Sequence, residues 1–272
     1  MANYTAADIK ALRDKTGAGM LDVKKALDEA DGDAEKALEI IRVKGLKGIA
    51  KREDRSASEG LVAVDIRDGE AGQVGTLLEL NCETDFVAKN QKFIDLGTKA
   101  VKLAADAAAT TPEELAAAGF DMTDDQAAIG EKMQVRRIGR LAGAHVEAYM
   151  HHTAKDLPPQ VGVLVATDAA GADIAHEVAM HIAAFSPTYL SRQDVPEDVV
   201  ANERRIAEET ARNEGKPEAA LTKIVEGRMN GFYKENVLLE QAYAREPKKT
   251  VGQIVSAAGG TITGFVRFRV GA

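Results

Sequence analysis

The stretch Asn81-Cys82-Glu83-Thr84-Asp85-Phe86-Val87-Ala88-Lys89 stands where strand character gives way to helix. Upstream, Val74 to Leu80 is rich in β-branched and aliphatic residues and follows the turn-forming run Asp68-Gly69-Glu70-Ala71-Gly72. Before that turn Val62, Val64 and Ile66 alternate with Asp65 and Arg67, so residues 61–80 read as a β-hairpin. Downstream, Thr84 suits an N-cap, and Asp85 sets negative charge against the unpaired N–H groups of a helix's first turn. Hairpin followed by helix predicts an α+β fold with small antiparallel sheets. The join leaves an acid and an aromatic side by side, and Phe86 has two readings. It opens a buried stripe with Phe93, Leu96, Ala100 and Leu103, Asp85 being only a helix-start acid, or the pair is an exposed wedge. Periodicity by itself favours the stripe.

The same order recurs. Val146, Ala148 and Met150 alternate with His145, Glu147 and Tyr149, a turn spans Thr153 to Gln160, a strand runs from Val161 to Ala166, and a helix carries Ile174, Val178, Ile182 and Phe185 on one face. Two similar α/β subdomains explain this. Between them an Ala-rich helical segment (98–109), an acidic loop around Pro112 to Asp125 and a helix from about Gln126 to Leu141 are expected. Ahead of them, Thr5, the break at Thr16-Gly17-Ala18-Gly19 and the turn Asp31-Gly32-Asp33 mark out three short helices. In that module Met20 and Leu21 either face outward as contact points or pack on the third helix. Pro196, Gly215 and Pro217 delimit two polar helices that read as an antiparallel hairpin, and Thr261 to Val270 reads as a strand returning to the second sheet. The expected division is a three-helix module (1–45), a linker (46–60), core subdomain N (61–141), core subdomain C (142–193, completed by 234–272) and an inserted helical hairpin (194–233).

A net charge of -8 argues against a nucleic-acid surface, whose affinity comes mainly from Lys and Arg on phosphates. The one cysteine, Cys82, excludes an internal disulfide and fits a reducing compartment. Met1-Ala2-Asn3-Tyr4 has no targeting character and no run approaches the ~20 apolar residues of a membrane span, so a cytoplasmic protein is expected. His176 and His181 resemble a zinc-protease pair with one residue too many, which turns the imidazoles about 140° apart around a helix. His145 and His151 would lie about 20 Å apart along a strand. No metal site follows. Gly17-Ala18-Gly19 lacks the Gly-Lys-Ser/Thr of a phosphate loop, and no nucleophile elbow is present.

Six ordered blocks carry a family resemblance. They are Thr16 to Leu27, Asn81 to Lys89, His181 to Pro187, Val225 to Met229, Thr250 to Gln253 and Thr263 to Phe268. Together they span nearly the whole chain, and the sequence resembles the elongation factor Ts family, the bacterial guanine-nucleotide exchange factors for elongation factor Tu. The resemblance implies that the first module is similar to the ubiquitin-associated (UBA-like) fold and grips the GTPase through Arg13, Met20 and Leu21. It implies that Asp85 and Phe86, within Thr84-Asp85-Phe86-Val87, push between helices beside the nucleotide and magnesium site. His151, which follows Tyr149 at the family spacing, would enter an adjoining apolar pocket. Elongation factor Tu is the implied partner, in a 1:1 or 2:2 complex, with no cofactor and no covalent chemistry. The sequence ends at Ala272, so contacts that longer relatives make through a carboxy-terminal extension are not expected. A helical adaptor acting through residues 1–45 alone and a histidine-dependent hydrolase are the competing readings.

Overall fold

The computed structural model describes residues 3–16, 18–50 and 52–272. Gly17, part of the expected helix break, lies outside them. Helices α1 (Ala6–Thr16), α2 (Met20–Glu29) and α3 (Ala34–Ala50) pack around Leu12, Val23, Ala26, Leu27, Ala37 and Ile41. These residues recur at helical spacing, which is why three short amphipathic segments can share one small core. Helix α3 runs on through residues 46–50, where a linker was expected. Glycine at 45 and 48 is tolerated because the helix is docked on another element, and tertiary contact outweighs propensity.

Strands β1 (Glu59–Gly69) and β2 (Gly72–Cys82) form the expected hairpin, with Gly69 opposite Gly72 at its tip. A one-turn helix, α4 (Asp85–Ala88), and a long one, α5 (Gln91–Asp106), follow, then α6 (Pro112–Ala117), α7 (Thr123–Ile129) and β3 (Gln134–Gly143). β3 pairs antiparallel with the free side of β2 and completes a three-stranded sheet. The helix expected over 126–141 is therefore helical only to Ile129 and is an edge strand from Gln134. Met133, Ile138 and Leu141 are three to five apart and imitate a helical stripe. The alternation of β3 is broken by Gly139, where a side chain would enter the opposing sheet: a Cβ there would lie 2.7 Å from Val266.

The second sheet is β4 (His145–His151), β5 (Val161–Thr167) and β8 (Ile262–Arg269), in the order β4-β5-β8. The two sheets pack face to face over Val62, Leu77, Val146, Leu164, Ala166 and Phe268. Helix α5 covers the outer face of the first with Phe93, Leu96, Ala100 and Ala104. Helix α8 (Ala172–Phe185) covers the outer face of the second with Val178, Ala179 and Ile182. The central strands β2 and β5 are thus buried on both faces, which is why they read as continuous apolar runs. Gly162 lets the layers approach, since a Cβ there would lie 2.6 Å from Val62 and 2.9 Å from Leu77. Helices α9 (Glu197–Asn213) and α10 (Glu218–Asn236) form the antiparallel hairpin on a narrow seam of Ala207, Val225 and Met229. The chain then makes a small pair of strands, β6 (Ala242–Tyr243) and β7 (Glu246–Thr250), and a helix, α11 (Val251–Ala257), before β8. No helix among the described residues is long and apolar enough to cross a membrane.

Two buried polar groups lock this architecture. Glu79, at 0 % exposure, accepts from Arg137 Nε (2.7 Å), Asn81 Nδ2 (3.1 Å) and the Gly271 amide (3.3 Å). Arg137 lies over the Phe268 ring at 4.5 Å and donates to the Arg269 carbonyl, which joins the two sheets. His181, in the second core, is within hydrogen-bond distance of Gln241 Oε1 (2.9 Å) and stacks on Phe185 at 4.5 Å. His176, on the same helix, instead meets Glu147 at the surface (2.6 Å). Burial lowers the His181 pKa from its usual 6.5, although the bond to Gln241 opposes it. The unfolded chain therefore binds the proton more readily. The His181 contribution is complete above about pH 6.5 and is lost as the pH falls below that value. Chemical denaturation between pH 7.5 and 5 should show this loss, and it should be smaller in His181→Gln.

Candidate functional site

At residues 84–89 the chain leaves Phe86 exposed and does not bury it in a stripe with Phe93. Thr84 is extended (φ -126°, ψ 155°) and its Oγ1 accepts from the Val87 amide at 3.4 Å, a long N-cap bond that starts α4. The helix lasts one turn. Asn90 then caps a new helix by accepting from the Lys92 amide at 2.9 Å, so Phe86 and Phe93 are not on one continuous helix face. Phe93 is fully buried, whereas Phe86 is 79 % exposed. Val87 and Ala88 face inward against the first core. The turn thus holds two apolar residues down and presents the acid and the aromatic.

Electrostatics fix the outward pair. Lys89 Nζ bridges Asp85 (2.9 Å) and Asp156 (2.8 Å), and lies 5.8 Å from the centre of the Phe86 ring. The bonds it donates to Asp156 and then to Asp85 hold the Lys89 ammonium well above its ordinary pKa, and the bond from Lys89 holds the Asp156 carboxyl below its own. Asp156 sits in the loop between β4 and β5, so Lys89 ties the wedge to the loop that follows His151. His151 closes the β4–β5 pairing opposite Val161. Its Nδ1 is 3.2 Å from the Tyr149 hydroxyl and the two rings stack at 6.1 Å, while His152 bonds back to the Leu157 carbonyl at 2.8 Å. Cys82, just before the wedge, is buried, and burial, then Glu131 and Glu59, push its thiol up to about 12. It is inert as a nucleophile at neutral pH.

In the amino-terminal module Arg13, Met20 and Leu21 are all exposed, Met20 at 60 % and Leu21 at 73 %. They do not pack on α3. Arg13 and Leu38 from the module, Val87 and Lys92 from the wedge region, and Asp125 and Ala127 from α7 line a cleft of about 840 Å³. Burial raises the Asp125 carboxyl above its usual range there. The structure therefore brings Arg13 and Val87 to one cleft, with Phe86 next in sequence to Val87. Met20, Leu21 and His151 do not line it.

A family model described as Elongation factor TS matches residues 83–272. Proteins named Elongation factor Ts from Beutenbergia cavernae and Micrococcus luteus are 68% and 61% identical over alignments covering all of both chains. One from Pseudarthrobacter chlorophenolicus is 60% identical over the same full extent. The chain belongs to the elongation factor Ts family.

Seen as an elongation factor Ts family member, the chain exposes Met20, Leu21 and Phe86 and has no cluster of three or more His, Cys, Asp or Glu side chains placed for a metal among the described residues. Sequence reasoning missed what fixes the first module to the core. Arg42 pairs with Asp124 at 2.9 Å, and α3 meets α7 so closely that a Cβ on Gly45 would lie 2.4 Å from the Ala127 methyl. The available signal was a helix pattern continuing past Lys44 with glycine at 45. Lys89 and Asp156 were missed as well. Lys89 stands four residues after Asp85, a spacing that places the pair on one helix face.

Proposed function

We propose that this elongation factor is a guanine-nucleotide exchange factor that binds elongation factor Tu in its GDP form, promotes GDP release and so lets GTP rebind during translation elongation in the cytoplasm. The observation that carries the reading is Phe86, a large aromatic exposed beside a carboxylate on a turn whose other residues are anchored in a core. Exposed aromatics on rigid frames act as interface anchors. In this reading residues 1–45 grip the GTPase through Arg13, Met20 and Leu21. Subdomain N (61–141) carries the wedge Thr84, Asp85, Phe86 and Val87, and subdomain C (142–193 with 234–272) adds His151. The hairpin at 194–233 projects from the body.

The mechanism is linkage and needs no covalent step. A GTPase holds GDP through backbone donors around the phosphates and through magnesium. Inserting Asp85 and Phe86 beside these elements displaces them and weakens the nucleotide, and contacts elsewhere offset the strain. Reciprocity then requires that GDP weaken the grip on the exchange factor by the same factor. Calorimetric titration of the chain into nucleotide-free and GDP-magnesium-loaded elongation factor Tu tests this. Binding to the nucleotide-free form should be tighter by about 100-fold. Equal affinities would refute the reading.

A further inference from the structure

The backbone of the turn that delivers the wedge is held by a carboxylate 47 residues further along the chain. Glu131 Oε2 accepts from the backbone amides of Glu83 (3.1 Å) and Thr84 (3.0 Å), and its Oε1 accepts from the Thr84 hydroxyl at 2.6 Å. The clamp is reciprocal, because Glu83 Oε1 accepts from the Lys132 amide at 2.7 Å. It sits just outside the Asn81–Gln134 pair that ends the β2–β3 pairing. Bonds to a charged acceptor are the strong ones, and three donors converging on one carboxylate leave the turn little freedom.

The clamp also sets the cap. By accepting a hydrogen bond from the Thr84 hydroxyl, Glu131 leaves the Oγ1 lone pairs turned toward the Val87 amide, which starts the turn bearing Asp85 and Phe86. Glu131 itself follows α7 through Gly130, whose left-handed backbone (φ 85°) ends that helix. Helix α7 is the element on which α3 docks, through Arg42–Asp124 and Gly45–Ala127. One short segment, residues 123–132, therefore touches the amino-terminal module at one end and the wedge at the other.

We propose that Glu131 is a positioning residue for nucleotide exchange: its carboxylate preorganises the 83–84 turn and thereby fixes Asp85 and Phe86 relative to the module docked on α7. This rests on the exchange reading above. A rigid frame lets partner affinity be spent on distorting the GTPase, whereas a loose wedge yields to the partner instead. Loss of the clamp should lower the maximal rate of GDP release more than the affinity for elongation factor Tu, because the module's contacts remain.

The test uses the full-length chain and two readouts. By NMR, amide exchange at Glu83 and Thr84 in the free protein should quicken by roughly tenfold or more in Glu131→Ala, with a smaller change in Glu131→Gln, which keeps one acceptor oxygen; tenfold corresponds to about 1.4 kcal/mol. Stimulated release of GDP should show a maximal rate lower by roughly 10- to 100-fold, with the half-saturating concentration changed less than about twofold. Added to Phe86→Ala, the substitution should cost less than it does in the parent chain, because only Asp85 is then left to position. Unchanged protection of the two amides, or a full maximal rate in Glu131→Ala while Phe86→Ala is slow, overturns the proposal. A normal rate in Phe86→Ala itself would overturn the wedge reading, and the amide measurement still judges the clamp. Should Glu131→Ala not fold, Thr84→Val removes the hydroxyl leg together with the Val87 cap that the hydroxyl makes, leaves the two amide legs in place, and must show the same split between rate and affinity.

Discussion

Phe86→Ala is expected to slow stimulated GDP release from elongation factor Tu by about 30-fold, the scale of truncating an interface anchor that contributes some 2 kcal/mol. Its thermal stability should stay close to that of the parent chain. The ring is 79 % exposed, and surface substitutions of this kind usually remain within about 0.5 kcal/mol. Truncating a buried phenylalanine costs about 3–5 kcal/mol instead. Phe93→Ala is the matched control, since Phe93 is fully buried and should behave in that second way. The pair separates an interface aromatic from a core aromatic by two independent measurements, the release rate and the denaturation midpoint. A large drop in stability in Phe86→Ala would mean that the ring is packed in solution and that the wedge is not presented.

Arg137→Met should destabilise the chain about as much as Phe93→Ala, by about 3–5 kcal/mol in urea denaturation. Glu79 is wholly buried and its carboxylate is balanced by Arg137 Nε at 2.7 Å, with Asn81 and the Gly271 amide completing its partners. Removing the guanidinium leaves a charge that water cannot reach. It also removes the packing on Phe268 that holds the second sheet over the first. The paired change Glu79→Leu with Arg137→Met should recover much of the loss, because the buried carboxylate that would be stranded is removed with its partner. If the double variant were no better than Arg137→Met, the cost would lie in lost packing and not in the stranded carboxylate.

Most of the architecture is legible in the sequence because its determinants are local. The hairpin at 61–80, the strands at 145–151 and 161–167 and the helical hairpin all announce themselves by alternation, by turn residues or by proline and glycine at their ends. Strand β3 was not legible. It has one buried position, Ile138, and its Gly139 is needed for close approach to a strand more than 120 residues away. The extension of α3 through 46–50 was hidden for the same reason, since its anchor is Ala127 on α7. At the site, the Thr84 cap and the acid after it could be read directly. The exposure of Phe86 could not, because the stripe reading treated α4 and α5 as one helix, although Asn90 was a readable second cap. Lys89 bridging Asp156, and Glu131 holding the 83–84 turn, join residues 47 to 67 positions apart. No periodicity announces such pairs.

The central claim is most directly tested by loading elongation factor Tu with a fluorescent GDP analogue, adding excess unlabelled GDP, and following release with a few per cent of this chain present. Faster release by these substoichiometric amounts, with each copy acting on many GTPase molecules, is the result predicted. A release rate unchanged even at saturating amounts of the chain, with binding to the GTPase confirmed in the same samples, would contradict it.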